Sequence, residues 1–172
     1  MWRTVVNCGQ KWSAGAVRRF GYLAKVELMF LGQYEHSIDE KGRMTIPVRY
    51  RDQIQDGAYI TLGFDNNLIV MTAETFELMY ENLNNLSMTN IDARHLKRLV
   101  FSKAYRLEID KSGRILIPQH LRDGAKLDTA AILVGVGDRF EIWTPSLWEE
   151  QDQEILNAEN NSKRFSALDI SV

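Results

Sequence analysis

The sequence predicts an α+β fold, mainly β, in which one short unit occurs twice. The segment from Ile38 to Asp52, IDEKGRMTIPVRYRD, is matched by the segment from Ile109 to Asp123, IDKSGRILIPQHLRD, at a constant offset of 71 residues. Each segment holds an Asp- and Gly-bearing turn between aliphatic, strand-forming residues. A threonine suited to cap a helix follows each later hairpin, Thr72 in the first copy and Thr144 in the second. An internal repeat of mixed strands and helices therefore organises the chain.

Each repeated segment is interpreted as a strand, a tight turn and a second strand. Gly42 and Gly113 stand where a chain reversal requires a positive φ, and the carboxylates of Asp39 and Asp110 can accept bonds from turn amides. A proline then stops each second strand and precedes an arginine-bearing segment that suits one helical turn. The second strands are 43–46 and 114–117, the prolines are Pro47 and Pro118, and the helical turns are 48–52 and 119–123. Each turn is therefore expected beside a small basic surface.

The rest of each unit predicts a hairpin followed by a helix. Gly and Asn residues between two aliphatic runs are typical hairpin turn formers. The predicted strands are 58–62 and 68–71 in the first copy and 130–135 and 140–143 in the second. Helices are predicted over 73–83, over 91–104 between the units, and from 146 onward. Because four short strands and one helix cannot cover their own apolar face, we expect the two units to share one core.

The charge distribution excludes a globally basic nucleic-acid-binding protein. The chain has 172 residues, 45% hydrophobic and 26% charged, with a formal net charge of −2. Residues 1–28 hold five cationic side chains and one carboxylate, a net of +4, so residues 29–172 carry −6. A DNA-binding role therefore needs a local basic patch that oligomerisation repeats.

Five segments are predicted along the chain. They are an N-terminal extension over 1–28, the first repeat over 29–84, a linker and helix over 85–104, the second repeat over 105–156 and a mobile C-terminal tail over 157–172. The extension has no counterpart in either repeat, which favours a non-native or disordered segment over a functional basic arm bearing Arg18 and Arg19. The single cysteine, Cys8, permits no intrachain disulfide, and no apolar run has the length of a membrane span. We therefore expect a cytoplasmic protein.

Two copies of the motif Asp-x-x-x-Arg-x-x-Ile-Pro, beginning at Asp39 and Asp110, resemble the arrangement of the MraZ family of bacterial transcriptional regulators. Three further stretches carry the likeness: MFLGQYEHSIDEKGR from Met29, FSKA from Phe101, and GVGDRFEIW from Gly135. One motif alone is weak evidence, but two in register with these flanks are specific. The resemblance covers about residues 29–148, most of the chain.

The resemblance implies both a fold and a function. In the AbrB and SpoVT class, swapped hairpins of two units interleave into one β-barrel-like domain with flanking helices, and here one chain would supply both halves about an approximate twofold axis. The family implies a sequence-specific regulator that binds double-stranded promoter DNA at short direct repeats before its own cell-division and cell-wall operon. It further implies a ring-like homo-oligomer associated with the nucleoid. No cofactor, metal, membrane or small-molecule substrate is implied.

Arg43 and Arg114 are the predicted DNA-reading residues. A guanidinium fork holds a phosphate or takes guanine O6 and N7 bidentately, and Asp39 or Asp110, four residues earlier, can aim it. A structural ion pair that locks the turn explains the spacing equally well, whereas the resemblance favours DNA contact. The two roles are compatible, because an arginine held by its turn is also preorganised.

A second set of basic residues surrounds these arginines. Lys41 and Lys111 lie in or beside the turns, where flexible ammonium groups suit phosphates better than bases. The basic residues after the prolines are Arg49, Arg51, His120 and Arg122. Because Ser112 replaces Lys41 and His120 replaces Arg49 in the second copy, we expect the first copy to bind DNA more strongly.

Other conspicuous residues favour structural roles. The most basic window of the main body is better explained by a solvated helix face than by DNA contact. It comprises Arg94, Lys97, Arg98, Lys103 and Arg106. Four aromatic residues are interpreted as core or subunit-interface residues rather than base-stacking platforms. They are Phe76, Phe140, Trp143 and Trp148.

The sequence disfavours a metal site and an enzyme. The three histidines are dispersed without metal-ligand spacing. The chain carries no phosphate-binding loop and no hydrolase or metalloprotease motif. An arginine four residues after Asp39 and after Asp110 keeps each carboxyl ionised, which is the opposite of what a general acid needs.

Two other functional classes stay open. A toxin-neutralising antitoxin shares the AbrB-like fold, although such proteins usually carry one copy and a long disordered tail; capture of a small nuclease would favour this class. A purely structural ring, in which the arginines only lock their turns, would form oligomers without salt-dependent DNA binding.

Overall fold

Eight strands and five helices occur between residues 29 and 157 of the computed structural model, which describes residues 29–157, 161, 164–166 and 168. The strands are β1 (Phe30–Ser37), β2 (Arg43–Thr45), β3 (Ala58–Leu62), β4 (Leu68–Thr72), β5 (Tyr105–Leu107), β6 (Arg114–Leu116), β7 (Ala130–Gly137) and β8 (Arg139–Trp143). The helices are α1 (Val48–Ile54), α2 (Ala73–Asn84), α3 (Ile91–Ser102), α4 (Gln119–Gly124) and α5 (Pro145–Leu156).

The two repeats exchange their strands. Six strands form one antiparallel sheet in the order β1-β7-β8-β4-β3-β5, and β2 and β6 form a separate two-stranded ribbon. The first strand of the first repeat, β1, pairs with β7 of the second repeat from Phe30 opposite Gly137 to Ser37 opposite Ala130. The first strand of the second repeat, β5, pairs in return with β3 of the first. Each repeat therefore completes the sheet of the other.

Two strand pairs mark an approximate twofold axis between the repeats. In the ribbon, Met44 lies opposite Ile115, which is its equivalent in the second copy. In the large sheet, Ile69 of β4 lies opposite Glu141 of β8, which is its equivalent after a one-residue slip in the repeat. Because each of these residues meets its own counterpart, the axis passes close to both pairs.

One hydrophobic core joins the large sheet, the ribbon and the short helices α1 and α4. The central ribbon residues Met44 and Ile115 are fully buried, and so are Tyr50 of α1 and its counterpart Leu121 of α4. The inner face of the ribbon is thus part of the core. Its outer face carries the remaining side chains of both strands, because neighbouring residues of a strand point to opposite sides.

Tyr50 is the residue that ties α1 to the large sheet. Its ring packs against Phe30 and Phe140 with centroid distances of 5.0 and 5.1 Å. Its hydroxyl donates to the backbone carbonyl of Leu31 at 3.1 Å. Burial raises the pKa of Tyr50 to about 12, with a smaller contribution from Tyr34. The helix that follows the first turn is therefore fixed by both packing and a hydrogen bond.

The predicted α+β class with two copies of one unit is confirmed. The predicted helix caps are also confirmed: the Thr72 hydroxyl accepts from the Thr75 N–H at 3.2 Å, and the Thr144 hydroxyl accepts from the Leu147 N–H at 3.4 Å. The repeats differ most in their first strand, which has eight residues in β1 and three in β5. The difference arises partly because α3 continues to Ser102 and so uses the equivalents of Phe30 and Leu31, the first two residues of β1.

Some predictions fall outside the described residues. The N-terminal extension over 1–28 lies wholly outside them, and the tail over 157–172 lies largely outside them. Of the tail positions that are described, 161, 164 and 165 are helical. None of the helices found in the described part of the chain has the length and apolarity required to cross a membrane.

Candidate nucleic-acid interface

The first turn is held together by the carboxylate of Asp39. Its Oδ1 accepts backbone N–H groups from Lys41 at 3.0 Å and from Arg43 at 2.9 Å. Its Oδ2 accepts the Arg43 Nε–H at 2.8 Å and lies 2.7 Å from Arg43 Nη2. Gly42 between them has a φ of +80°, a conformation that favours glycine. The turn and the orientation of the Arg43 guanidinium are thus set by one carboxylate.

The second turn repeats this geometry. Asp110 Oδ1 accepts the N–H of Ser112 at 2.8 Å and that of Arg114 at 3.0 Å. Asp110 Oδ2 accepts the Arg114 Nε–H at 2.8 Å and lies 2.8 Å from Arg114 Nη2. Gly113 has a φ of +73°. The ion pair that locks each turn is therefore present in both copies, and it leaves Nη1 of each arginine without a hydrogen bond among the residues that the structure describes.

Hydrogen bonding to the arginine controls the charge of each turn carboxyl. The bonds from the Arg43 side chain and backbone are the main reasons why the pKa of Asp39 falls to about 2. The equivalent bonds from Arg114 lower the pKa of Asp110. Both carboxylates are therefore ionised at neutral pH, and each holds its guanidinium as a charged pair.

The ribbon brings the two turns to one surface. Arg43 lies opposite Leu116 and Arg114 lies opposite Thr45, so that both arginines stand on the outer face, alternating with the buried Met44 and Ile115. The end of each ribbon strand also bonds to the glycine of the other turn: Ile46 N–H donates to Gly113 O and Ile117 N–H to Gly42 O, both at 2.9 Å. The two predicted arginines are thus brought together by the fold.

Arg51 and Arg122 lie against the turn of the opposite repeat, which sequence reasoning did not show. The Arg51 Nε–H donates to Ile46 O at 2.8 Å, and its guanidinium covers Gly113 so closely that an added Cβ there would lie 2.1 Å from Arg51 Cζ. Arg122 covers Gly42 in the same way, with its Nε 2.9 Å from an added Cβ. Arg51 therefore supports its turn by packing and by a hydrogen bond, whereas Arg122 only packs on Gly42 while its Nη2 donates to Gln119 Oε1. The contact of both residues with DNA stays a prediction.

The other predicted basic residues surround the ribbon without supporting it in this way. Lys41, Lys111 and His120 are exposed, and the two lysines form no ion pair within the described part of the chain. Arg49 is also exposed, and its Nη1 donates to the Tyr34 hydroxyl at 3.4 Å. These side chains are exposed, and their contact with phosphates stays a prediction.

A groove of about 330 Å³ runs beside the second turn. Its walls include Arg43, Arg114, Arg106, Tyr105 and Leu116. Sequence reasoning missed Tyr105 and Leu116, and it interpreted Arg106 as part of a solvated helix face. The available signal was the two-residue spacing of Leu116 from Arg114, which places both on one face of a strand.

The basic window on α3 favours the structural interpretation. Arg94 Nη1 donates to the carbonyls of Met88 at 2.8 Å and Thr89 at 3.1 Å. Lys97 Nζ donates to the carbonyl of Leu86 at 3.3 Å. These bonds fix the loop before α3. No group of three or more potential metal ligands occurs within the residues described.

Known proteins match this chain over both repeats. The family described as "MraZ protein, putative antitoxin-like" matches residues 29–99 and again 100–169. A protein named transcriptional regulator MraZ from Roseiflexus sp. (strain RS-1) is 44% identical over 121 residues, which are 70% of this chain and 85% of that protein. Its namesake from Carboxydothermus hydrogenoformans is 44% identical over 120 residues, 70% of this chain and 84% of the relative. That from Alkaliphilus metalliredigens is 39% identical over 143 residues, 83% of this chain and 100% of the relative. The chain therefore belongs to the MraZ family.

Proposed function

We propose that the protein is a sequence-specific, DNA-binding transcriptional regulator that inserts the β2–β6 ribbon into the major groove. The observation that carries the proposal is the pair of locked Asp–Arg turns on the outer side of one ribbon. The names of the relatives, transcriptional regulators, support it.

The dimensions of the ribbon suit the major groove. Each strand has three residues, which at roughly 3.3 Å per residue gives a length of about 10 Å. The strands are about 4.8 Å apart, and the major groove is about 12 Å wide and admits a two-stranded ribbon. Because the inner face of the ribbon is buried, the outer face with Arg43 and Arg114 is the side that meets DNA.

The arginines are arranged for base reading. Asp39 and Asp110 occupy the Nε and Nη2 side of each guanidinium, which leaves the N–H groups of Nη1 and one of Nη2 for a ligand. Such a pair matches the O6 and N7 acceptors of guanine. Because the turn already fixes each side chain, little conformational entropy is lost when the bonds to DNA form.

The surrounding cations supply phosphate contacts. We assign Lys41, Lys111 and Arg49 to this role because their side chains are exposed, the two lysines in the turns and Arg49 in the helix that follows β2. Arg51 and Arg122 are also assigned to the phosphate backbone of DNA. They contact it through the guanidinium nitrogens that form no hydrogen bond within the described residues. Each phosphate that is neutralised adds about −0.9 to the slope of log K against log salt concentration. Binding should therefore weaken steeply as the salt concentration rises.

A single protomer has few such contacts, and the acidic remainder of the chain opposes binding. We propose that protomers assemble into a ring-like homo-oligomer and bind repeated promoter elements, which raises the effective concentration of each protomer at its site. The proposed target is double-stranded promoter DNA before its own division and cell-wall operon. The proposed location is the cytoplasm, in association with the nucleoid, and the role requires no cofactor, small-molecule substrate or catalysis.

A binding assay on the DNA upstream of its own gene tests this proposal. The full chain is compared with Arg43→Ala, with Arg114→Ala, and with Arg98→Ala, which removes the same charge from the exposed side of α3. Loss of one bidentate contact should weaken binding by roughly 10- to 100-fold. Arg43→Ala should have the larger effect, and Arg98→Ala should change binding by less than about two-fold.

Circular dichroism shows whether each variant stays folded. A folded wild-type protein that gives no salt-sensitive binding would contradict the proposal. Oligomers without DNA binding would then support a structural ring. Specific capture of a small nuclease by the same protein would instead support an antitoxin, which the "antitoxin-like" description of the family keeps as a second candidate.

A further inference from the structure

The two halves of the ribbon present different chemistry on their outer face. Arg43 faces Leu116 across the strands, whereas Arg114 faces Thr45, the residue equivalent to Leu116. Leu116 is 47% exposed, and Thr45 is half-buried. A large apolar side chain therefore stands in water beside the Arg43 guanidinium and has no equivalent beside Arg114.

Leu116 also belongs to a shaped surface. It lines the groove of about 330 Å³ together with Arg43, Arg114 and Tyr105. The guanidinium of Arg43 is fixed by Asp39, and Leu116 lies opposite Arg43 in the ribbon. A ligand that pairs with Arg43 therefore brings its neighbouring group onto Leu116.

The major groove of DNA offers one apolar group, the 5-methyl of thymine. A base pair next to a guanine held by Arg43 lies about 3.4 Å along the duplex, and Leu116 lies on the neighbouring strand, about 4.8 Å from β2, so this base pair is within reach of Leu116. Burial of one methyl group against an exposed leucine strengthens binding by about four-fold. Thr45 is shorter than Leu116 and is half-buried, so the equivalent position beside Arg114 reaches less far towards a base.

We infer that Leu116 is a specificity-determining residue that packs on the 5-methyl group of a thymine adjacent to the base bound by Arg43. The inference rests on the proposed DNA-binding function. Its consequence is that one protomer reads an element that is not self-complementary, although its backbone has approximate twofold symmetry.

Deletion of the thymine methyl tests the inference directly. The fragment upstream of the gene is amplified with dTTP or with dUTP, because deoxyuridine is thymidine without its 5-methyl group. Binding of the full chain is measured by fluorescence anisotropy for the wild type and for Leu116→Thr, which gives β6 the residue of β2. Val136→Thr is the matched control, since Val136 is an apolar residue of β7 with a similar exposure of 43%.

The wild type should bind the dUTP fragment about four-fold more weakly than the dTTP fragment. Leu116→Thr should bind the dTTP fragment about four-fold more weakly than the wild type does, and it should bind the dUTP fragment no more weakly than the dTTP fragment. Val136→Thr should have the same affinities as the wild type on both fragments. Specific binding that is equal on both fragments, or an undiminished methyl effect in folded Leu116→Thr, overturns the inference and leaves the regulator intact. Absence of specific wild-type binding to either fragment overturns the proposed function and this inference with it.

Discussion

Gly113→Ala measures how much the contact between Arg51 of the first repeat and the turn of the second repeat contributes to the free energy of unfolding. Alanine at a φ of +73° carries backbone strain of about 1–2 kcal/mol. Its Cβ would also lie 2.1 Å from Arg51 Cζ, so the guanidinium must move, and we expect its Nε–H bond to Ile46 O to be lost. Loss of that bond adds about 1 kcal/mol, and the free energy of unfolding should fall by roughly 2–3 kcal/mol in total.

Gly137→Ala is the control, because Gly137 has a φ of +96° and no atom lies within 4 Å of an added Cβ. It should cost only the strain of about 1–2 kcal/mol. Urea unfolding gives both values, and an Arg51→Ala background should remove the difference of about 1 kcal/mol between the two alanines. If Gly113→Ala costs no more than Gly137→Ala when Arg51 is present, the Arg51 contact does not stabilise the second turn.

Other perturbations address charge and packing. Lys41→Ser gives the first turn the residue found in the second. It should reduce the magnitude of the slope of log K against log salt by about 0.9 for each phosphate that is no longer neutralised, which anisotropy titrations at several salt concentrations measure. An unchanged slope would mean that Lys41 contacts no phosphate. Tyr50→Phe should lower the free energy of unfolding by about 1 kcal/mol, because the hydrogen bond to Leu31 O is lost while the ring remains packed. Urea unfolding measures this change. An unchanged free energy of unfolding would mean that the hydroxyl is hydrogen-bonded to water instead. The pKa of Asp39 is lowered from 3.8 to about 2, so its contribution to stability is present above pH 3.8 and is lost as the pH falls towards 2. Asp39→Asn should make the free energy of unfolding depend less on pH over that range. An acid unfolding transition identical to that of the wild type would contradict the lowered pKa of Asp39.

The local geometry of each turn could be predicted from the sequence. Asp39 and Arg43 are four residues apart around a glycine, so side-chain reach alone brings them into contact, and the repeat at Asp110 shows that the spacing is not accidental. The caps at Thr72 and Thr144 followed from the same kind of local chemistry. Short-range hydrogen bonds of this type depend little on the rest of the fold.

Contacts between the repeats could not be predicted in this way. Arg51 covers Gly113 only because the strand exchange places α1 beside the second turn, and no local pattern encodes that approach. The place of Leu116 beside Arg43 likewise depends on the pairing of β2 with β6, although the two-residue spacing of Leu116 from Arg114 indicates which face of the strand it occupies. The short β5, in contrast, has a local cause that agrees with the helix predicted over 91–104, since the Asn90 cap starts a helix that continues to Ser102.

The exchange of strands also affects how the chain folds during synthesis. The N-terminal β1 finds its partner only in β7, which begins at Ala130, so its edge stays unpaired while the intervening residues are made. At translation rates of roughly 5–20 residues per second, that interval lasts on the order of 5–20 s. Ribosome-bound chains that stop before β7 should therefore expose the unpaired backbone of β1 and the ring of Phe30, which is buried in the complete fold, and they should bind general chaperones more strongly than chains that extend past β8.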